Sequence, residues 1–370
     1  MRVLIAVPRL ALPGGVASYY KSLRPFLDAD KVYIEIGNTP EQHHAWGTIG
    51  RMMADYRKFA RALRTNSFDL VHINPSLGWR SVIRDGVLLL LAKWHRHKVL
   101  VFFHGWDPGV EALIRRRFLR LFRCVYGRAD GFVVLGDAFR QALVAMGMTA
   151  PIHRATTVAS IPVSADCTSR APSLPGDQEP AAEAKPFTIL FLSRLDQGKG
   201  LVEAIEAFAL LKRHMEHVAL VVAGDGPERS GAEGLVRDRG IRGVRFVGHV
   251  DGAEKDLAFR SADAFLFPSS YGEGMPIAVL EAMAYGLPIV TRPVGGLRDF
   301  FETGVMGYST DSSDPVSFAG LLDRLITDSA LRHRIGQHNR EYARSHFAAP
   351  IVARKLLDIY AQVADAPGSR

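Results

Sequence analysis

Two acids and two cations in the second half of the chain have the types and spacing to grip an anionic, hydroxyl-rich ligand. The acids are Glu273 and Glu281. They lie in the run Phe267-Pro268-Ser269-Ser270-Tyr271-Gly272-Glu273-Gly274-Met275-Pro276, followed by Ile277 to Glu281 and then Ala282-Met283-Ala284-Tyr285-Gly286-Leu287-Pro288. A strand ends at Phe267 and a Gly-rich loop follows. Pro276 suits the first position of a helix, and that helix stops at Gly286 with Pro288 beyond it. Glu273 falls on the loop and Glu281 on the helix, eight residues on. Both can face one cleft, with Glu281 about a turn further in. A carboxylate accepts two hydrogen bonds from a diol, which suits sugar and ribose hydroxyls. The loop N–H groups and the helix N-terminus suit a phosphate or a sugar oxygen. The plainer alternative is a capped helix with Glu273 as its first-turn acid.

The cations are Arg194 and Lys199, in Ser193-Arg194-Leu195-Asp196-Gln197-Gly198-Lys199-Gly200. This segment follows a strand at its carboxyl end, where open α/β sheets bind ligands, and Lys199 is expected to start the next helix. Two cations beside a helix N-terminus can hold a diphosphate and neutralise it as it leaves; two solvated surface charges are the alternative. Near the start, Pro13-Gly14-Gly15-Val16 places glycines between a strand and a helix, so that the N–H of Gly15 can approach an anion. A tight turn explains the same residues. The full G-x-G-x-x-G fingerprint is absent, which argues against a dinucleotide site.

His104 ends an apolar run, Val99 to Phe103, and is followed by Gly105, Trp106 and Asp107. A histidine at the carboxyl end of a parallel strand stands where sites form; one satisfied by a neighbouring carbonyl is the alternative. Trp106 and Asp107 are candidates for an acceptor pocket, and His72 and Asn74 can reach the same region. No metal-ligand pattern is evident. The one D-x-D, Asp28-Ala29-Asp30, reads as a turn.

The elements that must position these residues alternate. Strands are expected at Val3–Val7, Leu70–Ile73, Val99–Phe103, Gly131–Leu135 and Ile152–Thr156, with helices at Trp79–Lys93, Val110–Tyr126 and Ala138–Met146 between them. This is the pattern of parallel sheet with right-handed crossovers. Ser164 to Pro186 has four prolines and no apolar periodicity, so it reads as a linker or mobile loop. A second alternation follows through Phe187–Leu192, Val218–Ala223, Val244–Val247, Ala264–Phe267 and Ile289–Thr291. The tail is expected to be helical from Ser329 to Asp365, broken near Ala348–Pro350 by the proline. Domains are therefore expected at 1–163 with 349–370, and at 187–348, joined by 164–186.

A chain of 370 residues is long enough for two cores. Its two cysteines, Cys124 and Cys167, make neither a disulfide framework nor a metal site and point to a reducing, cytoplasmic setting. The longest apolar run, Val87 to Ala92, is too short to span a bilayer, and no signal peptide is visible. The net charge of +8 is uneven. Residues 1–165 carry 23 Lys and Arg against 11 Asp and Glu, a net of +12, and the remainder nets −4. Arg115, Arg116, Arg117, Arg120 and Arg123 interleave with Leu113, Ile114, Phe118, Leu119, Leu121 and Phe122. Arg51, Arg57, Lys58, Arg61 and Arg64 do so with Met52, Phe59 and Leu63. Such helices suit an anionic membrane surface, or are core helices with a solvated basic face. Peripheral contact at the inner face of the plasma membrane, with a lipid-linked acceptor, is the expectation.

The run Glu273 to Glu281 resembles the E-x7-E motif of glycosyltransferase family 4, the retaining group 1 transferases of the GT-B fold. Ser193 to Gly200 resembles that family's G/S-R-L-x-x-x-K-G segment. Gly224-Asp225-Gly226-Pro227 and Phe246-Val247-Gly248-His249-Val250 resemble its next landmarks, in order. The strong resemblance covers Phe187 to Gly307; the N-terminal half matches through Gly14-Gly15 and His104-Gly105. There are departures: Asp299 stands where the family has Glu, and Met306 where Asn is common. The resemblance implies two Rossmann-like domains facing each other across a cleft. The N-terminal one would bind the acceptor and the C-terminal one the nucleotide-sugar donor, with the last helix crossing back to the first. It implies that Arg194 and Lys199 bind the donor diphosphate and Glu281 the ribose. Glu273, with backbone groups of Gly274, Met275 and Pro276, would contact the transferred sugar. Val247 to Val250, including His249, would lie against the base. Gly15 would offer an N–H to the phosphates, and His104 would sit near the reacting centre. The activity implied is retaining transfer from a nucleotide-diphosphate sugar to a glycan or lipid-linked acceptor in cell-envelope or polysaccharide synthesis. No cofactor, metal or nucleic acid is implied. A nucleotide-sugar epimerase on the same architecture is the alternative enzyme. A nucleic-acid binder would need stacking aromatics on a basic sheet, and the sequence offers none.

Overall fold

The computed structural model describes residues 1–12, 14–37, 45–161 and 185–366. Pro13 and residues 162–184, which include all of the expected linker up to residue 184, lie outside the described residues. The chain divides into two compact units. One comprises Met1–Val158, Gly272–Met275 and Ala349–Arg370; the other comprises Ala159–Tyr271 and Pro276–Ala348.

In the first unit the chain runs β1 (Arg2–Val7), α1 (Gly15–Leu23), β2 (Asp30–Glu35), α2 (Ala45–Thr65), β3 (Leu70–Ile73), α3 (Trp79–Trp94) and β4 (Val99–Phe103). It continues through α4 (Pro108–Leu113), a π-helical turn (Ile114–Phe118), α5 (Leu119–Tyr126), β5 (Gly131–Val134), α6 (Asp137–Ala145) and β6 (Ile152–Arg154). The sheet order is β2-β1-β3-β4-β5-β6, and every pair is parallel. β4 and β5 are continuous apolar runs, β3 is apolar but for His72, and all three are buried along their whole length, as a doubly covered parallel sheet requires. Right-handed crossovers in one direction from β1 put α2, α3, α5 and α6 on one face, and the reversed step to β2 puts α1 on the other. Contacts of α3 with α2 and α5, and of α1 with the C-terminal helix, agree.

In the second unit the order is β7 (Phe187–Leu192), α7 (Leu201–Lys212), β8 (Val218–Ala223), α8 (Arg229–Asp238), β9 (Val244–Gly248), α9 (Gly252–Ser261) and β10 (Ala264–Phe267). Then come α10 (Ile277–Ala284), β11 (Ile289–Thr291), a 3-10 turn (Gly295–Asp299), β12 (Gly307–Ser309), α11 (Pro315–Thr327) and α12 (Ser329–His346). Its parallel sheet is ordered β12-β11-β10-β7-β8-β9. The last helix, α13 (Ala349–Asp365), packs into the first unit, burying Val352, Leu356 and Tyr360.

Five expectations need correction. β2 and β12 were not anticipated; both are edge strands, and β2 has charged residues at both ends and a single fully buried one, Ile34, instead of an apolar run. Asp30 of the D-x-D therefore begins a strand. The single helix expected over Val110–Tyr126 is split by the π turn, whose i→i+5 spacing inserts an extra residue. Lys199 precedes its helix, because Gly200 is the N-cap. Pro276 is likewise the extended N-cap of α10, not its first residue.

Candidate functional site

The second unit carries most of the expected donor residues on loops and helices near the carboxyl ends of its strands. Its first strand, β7, leads to β8 on one side and is flanked by β10 on the other, so the strand order reverses between β7 and β10. Ligands of open α/β sheets bind outside the carboxyl ends at such a point. The loops leaving these two strands are tied together there. The Gly198 carbonyl accepts from the Ser270 N–H at 2.8 Å and from the Ser269 hydroxyl at 3.3 Å. Gly200 adopts φ +84°, and a Cβ there would come 2.6 Å from the Pro268 carbonyl oxygen, so only glycine fits. Lys199 is thereby held between the two loops. It is 6% exposed, with its ammonium 4.1 Å from the Tyr271 ring centroid, a cation–π distance.

The β8 loop closes on the same spot. Gly224 has φ +137°, and a Cβ there would overlap the Ser193 carbonyl oxygen. Leu195 N–H donates to the Asp225 carbonyl at 2.9 Å, and Gly224 N–H to Gly248 at 2.6 Å. The landmark segments Ser193–Gly200, Gly224–Pro227 and Phe246–Val250 thus meet the Pro268–Ser270 loop in one rim of the second unit. On it Arg194 is exposed and pairs with Asp196 at 2.7 Å. Val247 is half-buried at the end of β9, and His249 is exposed just beyond it. Glu281, on α10, is 4% exposed, and its Oε1 accepts from the Lys255 ammonium at 2.8 Å. That ion pair gives the interior carboxylate a counter-charge. Sequence reading missed Lys255: it lies on α9, 26 residues away, and no local spacing links it to Glu281. Tyr271 was read as part of the loop with no role of its own.

Glu273, Gly274 and Met275 group with the first unit. There Gly272 and Gly274 press against the backbone carbonyls of Trp106 and His104. Glu273 is half-buried, and Pro276 opens α10 in the second unit. Gly15 is the first residue of α1, where N–H groups have no helical acceptor.

His104 stands at the end of β4, half-buried, with its ring stacked on Phe102 at 3.9 Å. Its Nε2 lies 2.9 Å from Asn74 Oδ1. Tyr20 also donates to that oxygen, at 2.9 Å. The set extends inward: His72 Nδ1 lies 3.3 Å from the Tyr20 hydroxyl and 2.6 Å from the hydroxyl of Tyr360 on α13. Burial pushes the His104 imidazole down to about 3 and His72 well below the usual histidine range, and raises Tyr20 and Tyr360. The cluster is therefore neutral. Trp106 is buried against Phe139, and its indole N–H donates to Glu111, so it packs a wall. Asp107 caps α4.

Comparison with known proteins fits this geometry. Residues 177–342 match the model of the glycosyl transferases group 1, and residues 21–159 the glycosyl transferase 4-like domain. A phosphatidyl-myo-inositol mannosyltransferase of Mycobacterium leprae is 28% identical over 333 residues, covering 86% of this chain and 80% of that protein. A glycogen synthase of Mycobacterium tuberculosis is 32% identical over 176 residues, 47% of this chain and 42% of that one. Among solved structures, Anabaena HepE in complex with UDP superposes with a TM-score of 0.76 at 17% identity, over 98% of this chain and 100% of its own. The two Rossmann-like sheets are those of a GT-B fold. The chain belongs to the group 1 glycosyltransferases of family 4 and is a glycosyltransferase.

Proposed function

We propose that this protein is a retaining transferase that moves a sugar from a nucleoside-diphosphate donor to a lipid-linked or polysaccharide acceptor of the cell envelope. The observation that carries the reading is Lys199, locked between the β7 and β10 loops at the switch point, with Arg194 exposed on the same β7 loop. As the bond from the sugar to the phosphate breaks, charge grows on the diphosphate, and these two cations stabilise it without a metal. Glu281 takes the ribose hydroxyls, and the β9 end, Val247 to His249, lies against the base. Glu273 and the backbone of Gly274 to Pro276 hold the transferred sugar, His104 addresses it near the reacting carbon, and Gly15 offers an N–H to the phosphates. The acceptor hydroxyl attacks on the face the diphosphate leaves, and a leaving phosphate oxygen takes its proton.

Lys199→Ala and Glu273→Ala are each expected to cut turnover by about 100-fold or more while the circular dichroism spectrum and melting profile stay native. Near-normal transfer in both variants sinks the assignment. Retention is read from the anomeric configuration of the product by NMR, and full activity in EDTA is expected.

The helical face of the first unit supports a membrane-bound acceptor. Arg116, Arg117, Arg120 and Arg123 are exposed around Leu113 and Leu121. On α3, Trp79, Ile83, Leu90 and Trp94 form an exposed stripe at helical spacing, with Trp94 84% exposed. Among the described residues no helix is long and apolar enough to cross a membrane, so contact would be from the side. Flotation with anionic liposomes at low salt is the expected result, and protein left in the soluble fraction rejects it.

A further inference from the structure

We infer that Asn74 is the positioning residue of the site, fixing His104 as the Nε2–H tautomer so that its Nδ1 accepts a hydrogen bond from a hydroxyl of the transferred sugar. This rests on the reading of His104 given above. The orientation of the Asn74 amide is set from behind. Its Nδ2 donates to the Ala6 carbonyl at 2.9 Å, so the opposite atom must be the oxygen. An amide oxygen has two lone pairs, and both are engaged, by the Tyr20 hydroxyl and by His104 Nε2, each at 2.9 Å. The oxygen cannot donate, so the proton of the imidazole must sit on Nε2. The remaining freedom of the ring is removed by its stack on Phe102 and by its backbone N–H, which donates to Pro75 at 3.0 Å.

Nδ1 has no hydrogen-bond partner among the described residues. The titratable groups facing the ring are Tyr19 and Tyr20 of α1, with His72 of β3 and Tyr360 of α13 behind them, and none is charged. Burial holds the imidazole neutral. The chemistry left to His104 is therefore that of a fixed lone pair, which orders an O–H and neither delivers a proton nor contributes a charge. Asn74 is 7% exposed and acts only through the histidine.

The test is nitrogen-15 NMR on full-length protein labelled at histidine, with steady-state kinetics on whichever nucleotide-sugar proves to be the donor. Wild type should show His104 protonated at Nε2 and bare at Nδ1 near neutral pH. Asn74→Ala should give a tautomer mixture and lower kcat about 10-fold, with the donor KM changed less than about 3-fold. Asn74→Asp, kept protonated by burial against the Ala6 carbonyl, donates its hydroxyl there and keeps an acceptor oxygen toward Tyr20 and His104. It should hold the tautomer and restore kcat to within about 3-fold of wild type. A wild-type proton on Nδ1, an unchanged tautomer in Asn74→Ala, or an Asn74→Asp as impaired as Asn74→Ala overturns the inference. Full activity of His104→Ala would instead overturn the role of His104 itself, whatever its tautomer.

Discussion

Both units place their first strand inside a six-stranded parallel sheet, so both have a point where strand order reverses, β1/β3 in one and β7/β10 in the other. What the chain puts at the two points differs in kind. In the second unit the strand ends carry ions and glycines: Lys199, Arg194 with Asp196, Glu281 with Lys255, and loops that touch backbone to backbone. In the first they carry a neutral set in which each hydroxyl, amide and imidazole answers its neighbour: Tyr20, His72, Asn74, His104 and Tyr360. Charge sited in loops suits binding and neutralising an anion, whereas a neutral network holds atoms in place without attracting one. The sequence-wide charge runs opposite to this, since the basic half is the one with the neutral site. Its cations lie on the outer helices instead.

The sharpest way to break the comparison is to disturb the backbone contact that assembles the charged rim. Gly224 is left-handed, at φ +137°, and a Cβ would overlap Ser193. Gly224→Ala must therefore push the β7 and β8 loops apart, at a cost of about 3 kcal/mol or more. The expected outcome is a large drop in the urea midpoint and loss of nucleotide-induced stabilisation in thermal shift. A variant with unchanged stability and binding would mean that the rim does not depend on this contact.

That same feature explains what could be read in advance. Arg194, Lys199, Glu273 and Glu281 stood out because glycines and prolines around them mark fixed loops within short windows of sequence. The parallel sheets were legible for a similar local reason, the apolar runs of β3, β4 and β10. The neutral network was not legible. Its members come from α1, β3, β4 and α13, with 288 residues between His72 and Tyr360, and nothing local marks a tyrosine in an amphipathic helix as a partner of a buried histidine. His104 is marked by its position at a strand end, but nothing local marks Asn74 as its partner, since only coordinates show which group orients which. Lys255 escaped because ion pairs across elements leave no periodic trace.

The Lys255–Glu281 pair tests whether the charged rim is electrostatic or merely crowded. Glu281 is buried and Lys255 partly so. Removing the cation alone leaves an uncompensated interior carboxylate, so Lys255→Met should cost about 2–3 kcal/mol by chemical denaturation. Lys255→Met combined with Glu281→Gln should recover most of that stability, because no unpaired charge remains. Nucleotide affinity should fall in both and stay low in the double variant. Additive stability losses would show that the two residues contribute independently, and the rim would then be a packing feature.

The smallest effect separates the neutral network from the ions by pH. His104 is held down to about 3 and His72 well below its usual range, in both cases first by burial. In the unfolded chain each takes a proton near 6.5, so between about pH 6.5 and the folded values the unfolded state binds more protons. Stability is then complete above about pH 6.5 and declines as pH falls. For one such histidine the loss from pH 7.5 to pH 5 is about 1–2 kcal/mol, since each bound proton contributes about 1.4 kcal/mol per pH unit. His104→Gln should have a flatter stability profile than wild type over that window, although it is less stable at pH 7.5. Lys199→Met should leave the profile parallel to wild type, because no histidine is lost from the buried set. An identical slope in His104→Gln and wild type would show that the imidazole takes up a proton in the fold as readily as in the unfolded chain, and the contrast between a neutral and a charged switch point would collapse.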